Sequence, residues 1–372
     1  MESKFKKSNI INKNSSIFIV SFSLYKKGKR LPKNGMIEPM ISFFAPKVKT
    51  LLLVDQPHPL SDTINPLIEK YQNAKQIKKY SLSAFLYFPI YLYCLMERKG
   101  LTRISYKLRD FFSVIFMALT QKGNYDLFIG LEAINALAGI ILRKLGKVEI
   151  VVYYVSDYSP NRFSKFGKKL FNTLYLWLDR FCVLHADFTW DVSSAMQEGR
   201  LKNGLNSEKK YRVIHVHNGL FPSQIRSLPI SKRTPNSLVY LGTLEPDFGV
   251  ELAIKALKEV KRKNPKSMLW IIGGGKELLI LKRLVQKLKL EKSVIFYGFV
   301  EDNNEVARIV RTSYISLAPY RAFPESLRWY GDAGKIRQYL AAGLPVVTTQ
   351  VPPLGRHIVE KGAGIMTKDT VE

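Results

Sequence analysis

Residues 238–257 read LVYLGTLEPDFGVELAIKAL, and this stretch decides the fold. A short apolar run with strand-like composition ends at Gly242, and a segment with helical periodicity begins after Gly249. A strand that passes through a glycine-marked turn into a helix is the repeating unit of a parallel α/β sheet. The backbone N–H groups of such a turn and of the helix start can bind an anion, so this turn is a candidate phosphate site.

Two further turns of the same kind follow along the chain. The segment WIIGGGKE contains Gly273 and Gly274, and the segment FYGFVED contains Gly298 followed by Phe299. Glycine allows the backbone to approach a ligand closely, but α/β proteins also use it in tight turns that bind nothing. Each turn alone is weak evidence for a ligand site, whereas their order along the chain is specific.

Strands alternate with helices on both sides of these turns, which indicates an α/β protein with parallel sheets. In the first half, the predicted strands are 17–21, 50–54, 126–129, 149–154, 181–184 and 212–216. Residues 222–237 contain prolines and lack periodicity, so we predict a linker there. We therefore expect two Rossmann-like domains, residues 1–221 and 238–372.

In this order, the motifs of residues 211–367 resemble the GT-B glycosyltransferases of the group 1 type. Besides the glycine turns, the resemblance rests on VIHVHNGLF, ISLAPY and KIRQYLAAGLPVVTT, while YDLFIGLEAINALAGIILRKLG, VVYYVSD and HADFTWDVSSAMQ match more loosely. It implies that the two domains face a cleft, that the first binds an acceptor and that the second binds a nucleotide diphosphate sugar. It also implies a final helix beyond Glu372, so the second domain is expected to be incomplete or shortened.

The activity that the resemblance implies is transfer of a sugar from a nucleotide diphosphate sugar to a hydroxyl acceptor. A lipid-linked or cell-surface glycan in polysaccharide biosynthesis is the expected acceptor. Two alternatives stay open: a GT-B scaffold that binds nucleotide sugar without turnover, and a sugar-nucleotide epimerase. No cofactor is expected besides this co-substrate. No metal is expected either, because no Asp-x-Asp element at a strand end could hold a divalent ion to the diphosphate.

Four positions depart from the family pattern. Thr243 and Phe248 stand where the family usually has an Arg and a Lys that neutralise the diphosphate, and Tyr330 and Gln338 stand where it has the two glutamates of the E-x7-E element. The donor is nevertheless expected to contact the matched elements. The expected donor-binding residues are Gly242, Thr243, Gly273, Gly274, Gly298, Phe299, Tyr330, Lys335 and Gln338.

A positive charge is needed beside the donor phosphates when the leaving group departs. Lys335 lies three residues before Gln338, and the resemblance to some GT-B enzymes implies that Lys335 contacts the diphosphate and Gln338 the nucleoside. The alternative for Lys335 is a solvent-exposed helix lysine, and Lys276 after the triple glycine is the rival phosphate ligand. Asp332 and Glu325 are nearby carboxylates for which a capping or surface role is expected.

Two carboxylates follow predicted strands of the first domain. Asp157 comes directly after VVYYVS, and Glu132 comes after IGL. An inverting transferase needs a carboxylate there as general base, and a retaining one needs a polar group that holds the acceptor. Asp157 is favoured over Glu132 as the catalytic residue, although a loop aspartate shortly before Pro160 is equally consistent with turn formation.

The formal net charge of +28 favours an anionic partner, and residues 1–50 alone carry 11 Lys or Arg against two acids. Nucleic acid is not expected, because no RRM, KH, zinc-finger or helix-turn-helix pattern is present. A helical face with basic residues beside it (Arg103, Lys107, Arg109) suggests an anionic membrane surface, or simply a crossover helix packed on the sheet. This face comprises Leu101, Ile104, Leu108, Phe111, Phe112, Ile115, Phe116 and Leu119.

The remaining sequence features concern the compartment. The two cysteines, Cys94 and Cys182, lack metal-ligand or disulfide-framework spacing, which fits a reducing environment. The polar start predicts no signal peptide, and the apolar stretch 82–96 is too short to span a bilayer. We expect a cytoplasmic protein that also binds peripherally to the inner face of the plasma membrane.

Overall fold

The structure is a computed structural model that describes residues 11–31, 36–97, 104–160, 166–206, 211–220 and 222–371. The chain divides into two compact units. The first comprises residues 1–192 and 197–216, and the second comprises residues 193–196 and 217–372.

The first unit is built on one sheet in which parallel strands predominate. Its strands are β1 (Ser16–Lys26), β2 (Lys29–Leu31), β3 (Thr50–Pro57), β4 (Leu67–Gln72), β5 (Lys75–Ser81), β6 (Tyr125–Leu131), β7 (Val148–Val155), β8 (Phe188–Asp191) and β9 (Val213–His215). The order is β5-β4-β3-β1-β6-β7-β8-β9, with β2 paired to β1. The parallel strands are, in spatial order, β3, β1, β6, β7, β8 and β9. Strands β4, β5 and β2 pair antiparallel to their neighbours.

Helices cover this sheet and leave its central strands inaccessible to solvent. The helices are α1 (Ile37–Phe44), α2 (Phe88–Glu97), α3 (Ile104–Thr120), α4 (Ala133–Lys144), α5 (Phe166–His185) and α6 (Ser194–Lys202). Residues 17–20 of β1 are fully buried, as expected for a strand covered on both faces. Helix α4 contacts both α3 and α5.

The prediction of a strand at 181–184 is wrong. These residues belong to α5, and the strand of this region is β8 at Phe188–Asp191. A four-residue apolar run fits a buried strand and a buried helix segment equally well, so periodicity could not distinguish them. Cys182 and Val183 are buried on the inner side of α5.

Helix α3 packs on the first unit through the side opposite to its apolar face. Its buried residues are Ser105, Tyr106, Arg109, Asp110, Ser113, Val114, Met117 and Ala118. The guanidinium of Arg109 donates hydrogen bonds to the carbonyl oxygens of Ile64 (3.0 Å) and Pro57 (2.9 Å) and also binds Asp110. The carbonyl groups of Pro57, at the end of β3, and of Ile64, in the loop after it, need hydrogen-bond donors. Arg109 supplies these donors, and the side of α3 that carries Arg109 therefore faces inward.

Helix α3 thus packs within the first unit, as a crossover helix does, but through residues other than those of the predicted apolar face. Ile104, Leu108, Phe112 and Leu119 are exposed, and Arg109, which was expected to lie off the buried face, is 1% exposed. Phe111, Ile115 and Phe116 of the same face are half-buried, while Leu101 and Arg103 lie outside the described residues. The first unit consequently presents an apolar helix surface to its surroundings.

The second unit is a parallel sheet with helices between its strands. The strands are β10 (Ser237–Leu241), β11 (Met268–Ile272), β12 (Val294–Gly298), β13 (Ile315–Ala318), β14 (Val346–Thr349) and β15 (Gly364–Thr367). The helices are α7 (Val250–Lys263), α8 (Leu278–Lys287), α9 (Asn303–Thr312), α10 (Gly334–Ala341) and α11 (Leu354–Glu360). The order β12-β11-β10-β13-β14-β15 and the uniformly parallel pairing are those of a Rossmann-like domain.

Candidate functional site

The predicted glycine turns meet at the carboxyl ends of β10, β11 and β12. Gly242 donates its N–H to the Ile272 carbonyl (2.9 Å), and Gly273 donates to the Gly298 carbonyl (2.7 Å). Both Gly242 (φ +140°) and Gly273 (φ +141°) have backbone conformations that favour glycine. A Cβ on Gly273 would overlap the carbonyl oxygen of Gly242, so glycine is required there to bring the two turns together.

Lys335 extends from the first turn of α10 into this edge and is almost fully buried. It is 8% exposed, and its Nζ donates a hydrogen bond to the Tyr240 hydroxyl at 2.9 Å. Three aromatic rings surround the ammonium: its Nζ lies 4.1 Å from the ring centre of Tyr240, 4.5 Å from that of Phe248 and 4.9 Å from that of Tyr320. The interpretation of Lys335 as a solvent-exposed lysine is therefore wrong, and the side chain is held by cation–π contacts.

The environment of Lys335 disfavours its charge while no anion is bound. Burial lowers the pKa of the ammonium well below its ordinary value, the positive charge of Arg328 lowers it further, and the Asp247 carboxylate opposes the shift. A Cβ at Gly242 would lie 2.9 Å from Nζ, so the ammonium sits directly against the glycine turn. A phosphate bound at that turn would supply the counter-charge that the buried lysine lacks.

Tyr339 fixes the position of α10 on the sheet. Its hydroxyl accepts a hydrogen bond from the Leu241 N–H (2.7 Å) and donates to the Leu317 carbonyl (3.1 Å), which joins the ends of β10 and β13. The Tyr240 hydroxyl, which accepts from Lys335, donates in turn to the Thr243 carbonyl at 2.7 Å. Lys335 is thus oriented by groups on two strands.

The other predicted donor residues surround this edge with varied exposure. Thr243, Phe299, Lys276 and Gln338 are exposed, and Tyr330 is half-buried. Although Gln338 is three residues from Lys335, the two side chains differ in accessibility, and only Lys335 reaches the buried side of α10. Their roles toward a donor stay predictions.

The nearby carboxylates are placed differently from one another. Asp332 accepts a hydrogen bond from the backbone N–H of Asn218 (2.7 Å) and from Arg337 Nε (2.8 Å), and its side chain is 2% exposed. Glu325 is exposed. Asp332 is therefore engaged in structural contacts, but it is neither a surface group nor the cap of α10, whose N-cap residue is Ala333. Sequence reasoning missed Tyr240 and Tyr320, whose only sequence signal was their presence on the matched segments, and Arg328, which lies between two of those segments.

In the first unit, Glu132 lies at the carboxyl end of β6 in a strained conformation. Its φ of 69° and ψ of 154° fall in a region that residues other than glycine rarely adopt. The backbone N–H of Glu132 donates to the Tyr154 carbonyl (3.1 Å), and its carboxylate accepts a hydrogen bond from the Ser156 hydroxyl (3.0 Å). Strain of this kind at a strand end is typical of functional sites, because surrounding contacts must hold it in place.

The two carboxylates of this edge differ in their environment. Burial raises the pKa of Glu132 to about 6, Lys107 lowers it, and the negative charge of Asp157 raises it. Asp157 itself is exposed, and its backbone carbonyl accepts a hydrogen bond from the Tyr175 hydroxyl at 3.3 Å. Both predicted carboxylates thus occupy neighbouring strand ends, and Glu132 is the more constrained of the two.

Within the described part of the chain, no group of three or more His, Cys, Asp or Glu side chains is placed to hold a metal ion. The search for long apolar helices among the same residues found none that could cross a bilayer. Cys94 and Cys182 are buried and unpaired as a disulfide.

Comparisons with known proteins identify the second unit. Residues 224–372 match the family model of glycosyl transferases group 1. The second unit is thus similar to group 1 glycosyltransferases. Over 131 residues, or 35% of the chain, it is 28% identical to a glycogen synthase of Mycobacterium tuberculosis, and the match spans 30% of the length of that relative.

Solved structures show that the whole chain has the fold of GT-B glycosyltransferases. HepE of Anabaena, solved in complex with UDP, has a TM-score of 0.62 at 16% identity, with 95% of this chain and 85% of that chain covered. Sucrose-phosphate synthase of Thermosynechococcus elongatus has a TM-score of 0.64 at 14% identity, with 96% and 86% covered. These structures confirm the predicted fold class of two Rossmann-like domains. At such low sequence identities, the likeness shows the fold and nothing about the reaction.

Proposed function

We propose that the chain transfers a sugar from a nucleotide diphosphate sugar to a hydroxyl acceptor. The observation that carries this proposal is Lys335, a buried cation held against the Gly242 turn by Tyr240, Phe248 and Tyr320. A preorganised cation in a site of low dielectric stabilises the charge that develops on a departing diphosphate. The group 1 family and the glycogen synthase relative support the same reaction class.

The acceptor hydroxyl would be held by the carboxylates of the first unit. Glu132 and Asp157 follow adjacent strands, and a carboxylate can accept the hydrogen bond of a sugar or lipid hydroxyl. The raised pKa of about 6 brings Glu132 near the pH at which a general base works well. This assignment reverses the sequence-based preference for Asp157, because strain and burial favour Glu132.

We further propose that the acceptor is lipid-linked and is reached at an anionic membrane surface. The exposed apolar face of α3 and the outward side chains of α2 and the turn before it (Phe85, Phe88, Met96) would insert at the level of the headgroups. Lys75, Lys78 and Lys79 on the fully exposed strand β5, together with the net charge of +28, complement anionic lipid. Such a surface would otherwise be exposed to water at a cost.

Flotation with phosphatidylglycerol vesicles tests the membrane part. We expect the wild type to float, less so as salt rises, and the double variant Leu108→Ser with Phe112→Ser to lose most of its binding. The matched control is Leu279→Ser with Ile280→Ser on α8, which removes an even more exposed apolar pair from the other unit. Equal flotation of both double variants, or recovery without lipid, would contradict the proposal.

Donor turnover tests the reaction itself. The protein is screened by thermal shift with UDP-glucose, UDP-galactose, UDP-N-acetylglucosamine, ADP-glucose and GDP-mannose, since a ligand that binds the native state raises the melting temperature. Release of nucleoside diphosphate is then measured with and without polyprenyl-diphosphate-linked sugars. Acceptor-dependent release supports transfer. Binding without release would identify a non-catalytic scaffold, and conversion of the donor sugar to its epimer without acceptor would identify an epimerase.

A further inference from the structure

The resemblance implies basic residues at positions 243 and 248, where this chain has Thr243 and Phe248. Phe248 occupies one of those positions, and two cations lie over its ring. Nζ of Lys335 is 4.5 Å from the ring centre and Cζ of Arg328 is 4.9 Å from it. Neither cation comes from the segment that normally supplies the charge. Arg328 lies in the connection between β13 and α10, and Lys335 lies in the first turn of α10.

Arg328 is fixed in place by its backbone and by one carboxylate. It belongs to the single helical turn Leu327–Trp329, whose N-cap residue Ser326 accepts a hydrogen bond from the Arg328 N–H at 3.1 Å. The Ser326 hydroxyl donates to Asp247 Oδ2 (3.1 Å), and the same oxygen lies 3.4 Å from Arg328 Nε. Asp247 directly precedes Phe248, so one short network ties the arginine to the glycine turn.

The guanidinium is nevertheless left with unused donors. Its buried Nε has no hydrogen-bond partner among the described residues, and its contact with Asp247 is longer than a normal hydrogen bond. The Arg328 side chain is 31% exposed, so its outer nitrogens are accessible. Its positive charge reaches the ammonium of Lys335, whose pKa it lowers. Arg321 Nε is left in the same state beside Asp369, so what distinguishes Arg328 is its position over the Phe248 ring beside the buried ammonium of Lys335. Two cations at one ring can bind an anion with two negative groups.

We propose that Arg328 binds the diphosphate of the donor together with Lys335 and replaces the basic residues missing at positions 243 and 248. The inference rests on the proposed function, because it assigns a second cation to the same donor site. The planar fork of an arginine can donate two parallel hydrogen bonds to phosphate oxygens, whereas Lys335 acts as a single charge. Under this proposal, the Phe248 ring orients both cations through cation–π contacts.

Paired nucleotides test this assignment, because only the diphosphate carries the second phosphate. Affinities for UDP and UMP, ADP and AMP, and GDP and GMP are measured by titration calorimetry for the wild type, Arg328→Ala, Arg328→Lys and Arg321→Ala. We expect Arg328→Ala to weaken binding of the preferred diphosphate by about 10- to 100-fold and of the matching monophosphate by less than about threefold. Arg328→Lys should fall between, since it keeps the charge without the fork.

Arg321 is the matched control. It lies on the same segment with similar exposure, and its Nε likewise lies beside one carboxylate, that of Asp369 (3.3 Å), without a hydrogen-bond partner among the described residues. Its guanidinium lies over the Phe323 ring (5.6 Å), whereas that of Arg328 lies over Phe248 beside Lys335. Its alanine variant should change neither affinity by more than about threefold. Equal losses for monophosphate and diphosphate, or no loss in Arg328→Ala, would overturn the assignment of Arg328 alone. Failure of the wild type to bind any of the three diphosphates would overturn the proposed function and this inference with it. If Arg328→Ala does not fold, Arg328→Lys carries the same comparison.

Discussion

The carboxyl edges of the two sheets carry ionisable groups of opposite sign. In the second unit the edge holds Lys335 among three aromatic rings, and in the first unit it holds Glu132 beside Ser156. Burial shifts both groups toward their neutral forms: it lowers the pKa of the lysine and raises that of the glutamate to about 6. Each edge therefore holds a group whose charged form a ligand would stabilise, and under the proposed function this ligand is an anion in one case and a hydroxyl donor in the other.

The largest expected effect comes from the cationic edge. Replacing Lys335 with Ala should lower kcat/KM by about 100-fold or more, because it removes a charge contact that strengthens in the transition state. Steady-state kinetics with the donor found by thermal shift measures this. Lys276→Ala is the matched control, since that lysine is exposed beside the triple glycine. Near-normal activity of Lys335→Ala together with a loss in Lys276→Ala would move the phosphates to the Gly273 turn.

Gln338 sharpens the assignment at the same edge. Its side chain is exposed on α10, away from the rings that surround Lys335. If Gln338 contacts the nucleoside, Gln338→Ala should raise KM for the donor by about tenfold and leave kcat within about twofold, as loss of a uniform binding contact does. A fall in kcat with unchanged KM would assign Gln338 to the transition state instead.

The acidic edge should show a smaller loss and a pH signature. If the Glu132 carboxylate accepts the proton or hydrogen bond of the acceptor, wild-type kcat/KM should decline below a midpoint of about pH 6. Glu132→Gln should be about 10- to 100-fold less active above that pH and should lose this acidic limb. Asp157→Asn is measured in parallel. Loss of the limb in Asp157→Asn, with Glu132→Gln unaffected, would restore the sequence-based preference for Asp157.

The two units differ in how far their sequences predict them. In the second unit each strand is a short apolar run that ends at glycine or a polar turn, and β13 has the predicted bounds Ile315–Ala318. In the first unit the antiparallel strands β4 and β5 escaped prediction. Their sequences LIEKYQ and KQIKKYS show little alternation of apolar and polar residues. In β5 the reason is that the strand lies at the edge of the sheet with every residue exposed. Local pattern predicts only elements whose burial is itself periodic.

The features of the two sites that the sequence could not predict depend on contacts between segments that are distant in the sequence. Tyr240 and Phe248 come from one stretch of the sequence and Tyr320 from another, and Lys335 lies on a third, so no local spacing could show that the three rings enclose the lysine. The inward polar face of α3 has the same cause, since Arg109 is buried to satisfy carbonyls near β3. The family resemblance indicated where the donor elements lie. It pointed to Lys335 as a cation of this region, but it did not indicate that Arg328 lies beside Lys335 over the Phe248 ring.

The smallest expected effects concern stability and follow from the opposite pKa shifts. The pKa of Lys335 is lower in the folded chain than in the unfolded chain, so burial of the lysine costs most at low pH and nothing above its ordinary pKa of 10.5. The pKa of Glu132 is raised from 4.5 to about 6, so its cost is absent below pH 4.5 and complete above about pH 6. Removing either charge should therefore stabilise its own domain at pH 7, by about 2 kcal/mol for the Glu132 carboxylate.

Urea unfolding as a function of pH separates the two contributions. Lys335→Met keeps the apolar contacts with the surrounding rings, and its gain in unfolding free energy should shrink between pH 7 and pH 10. Glu132→Gln keeps an oxygen that accepts from Ser156, and its gain should be near zero at pH 4 and grow toward pH 7. Because the two units can unfold separately, each transition is followed on its own. A gain for Lys335→Met that grows with pH, or one for Glu132→Gln that is largest at pH 4, would show that burial does not govern these groups. The contrast between the two edges would then have to rest on ligand contacts alone.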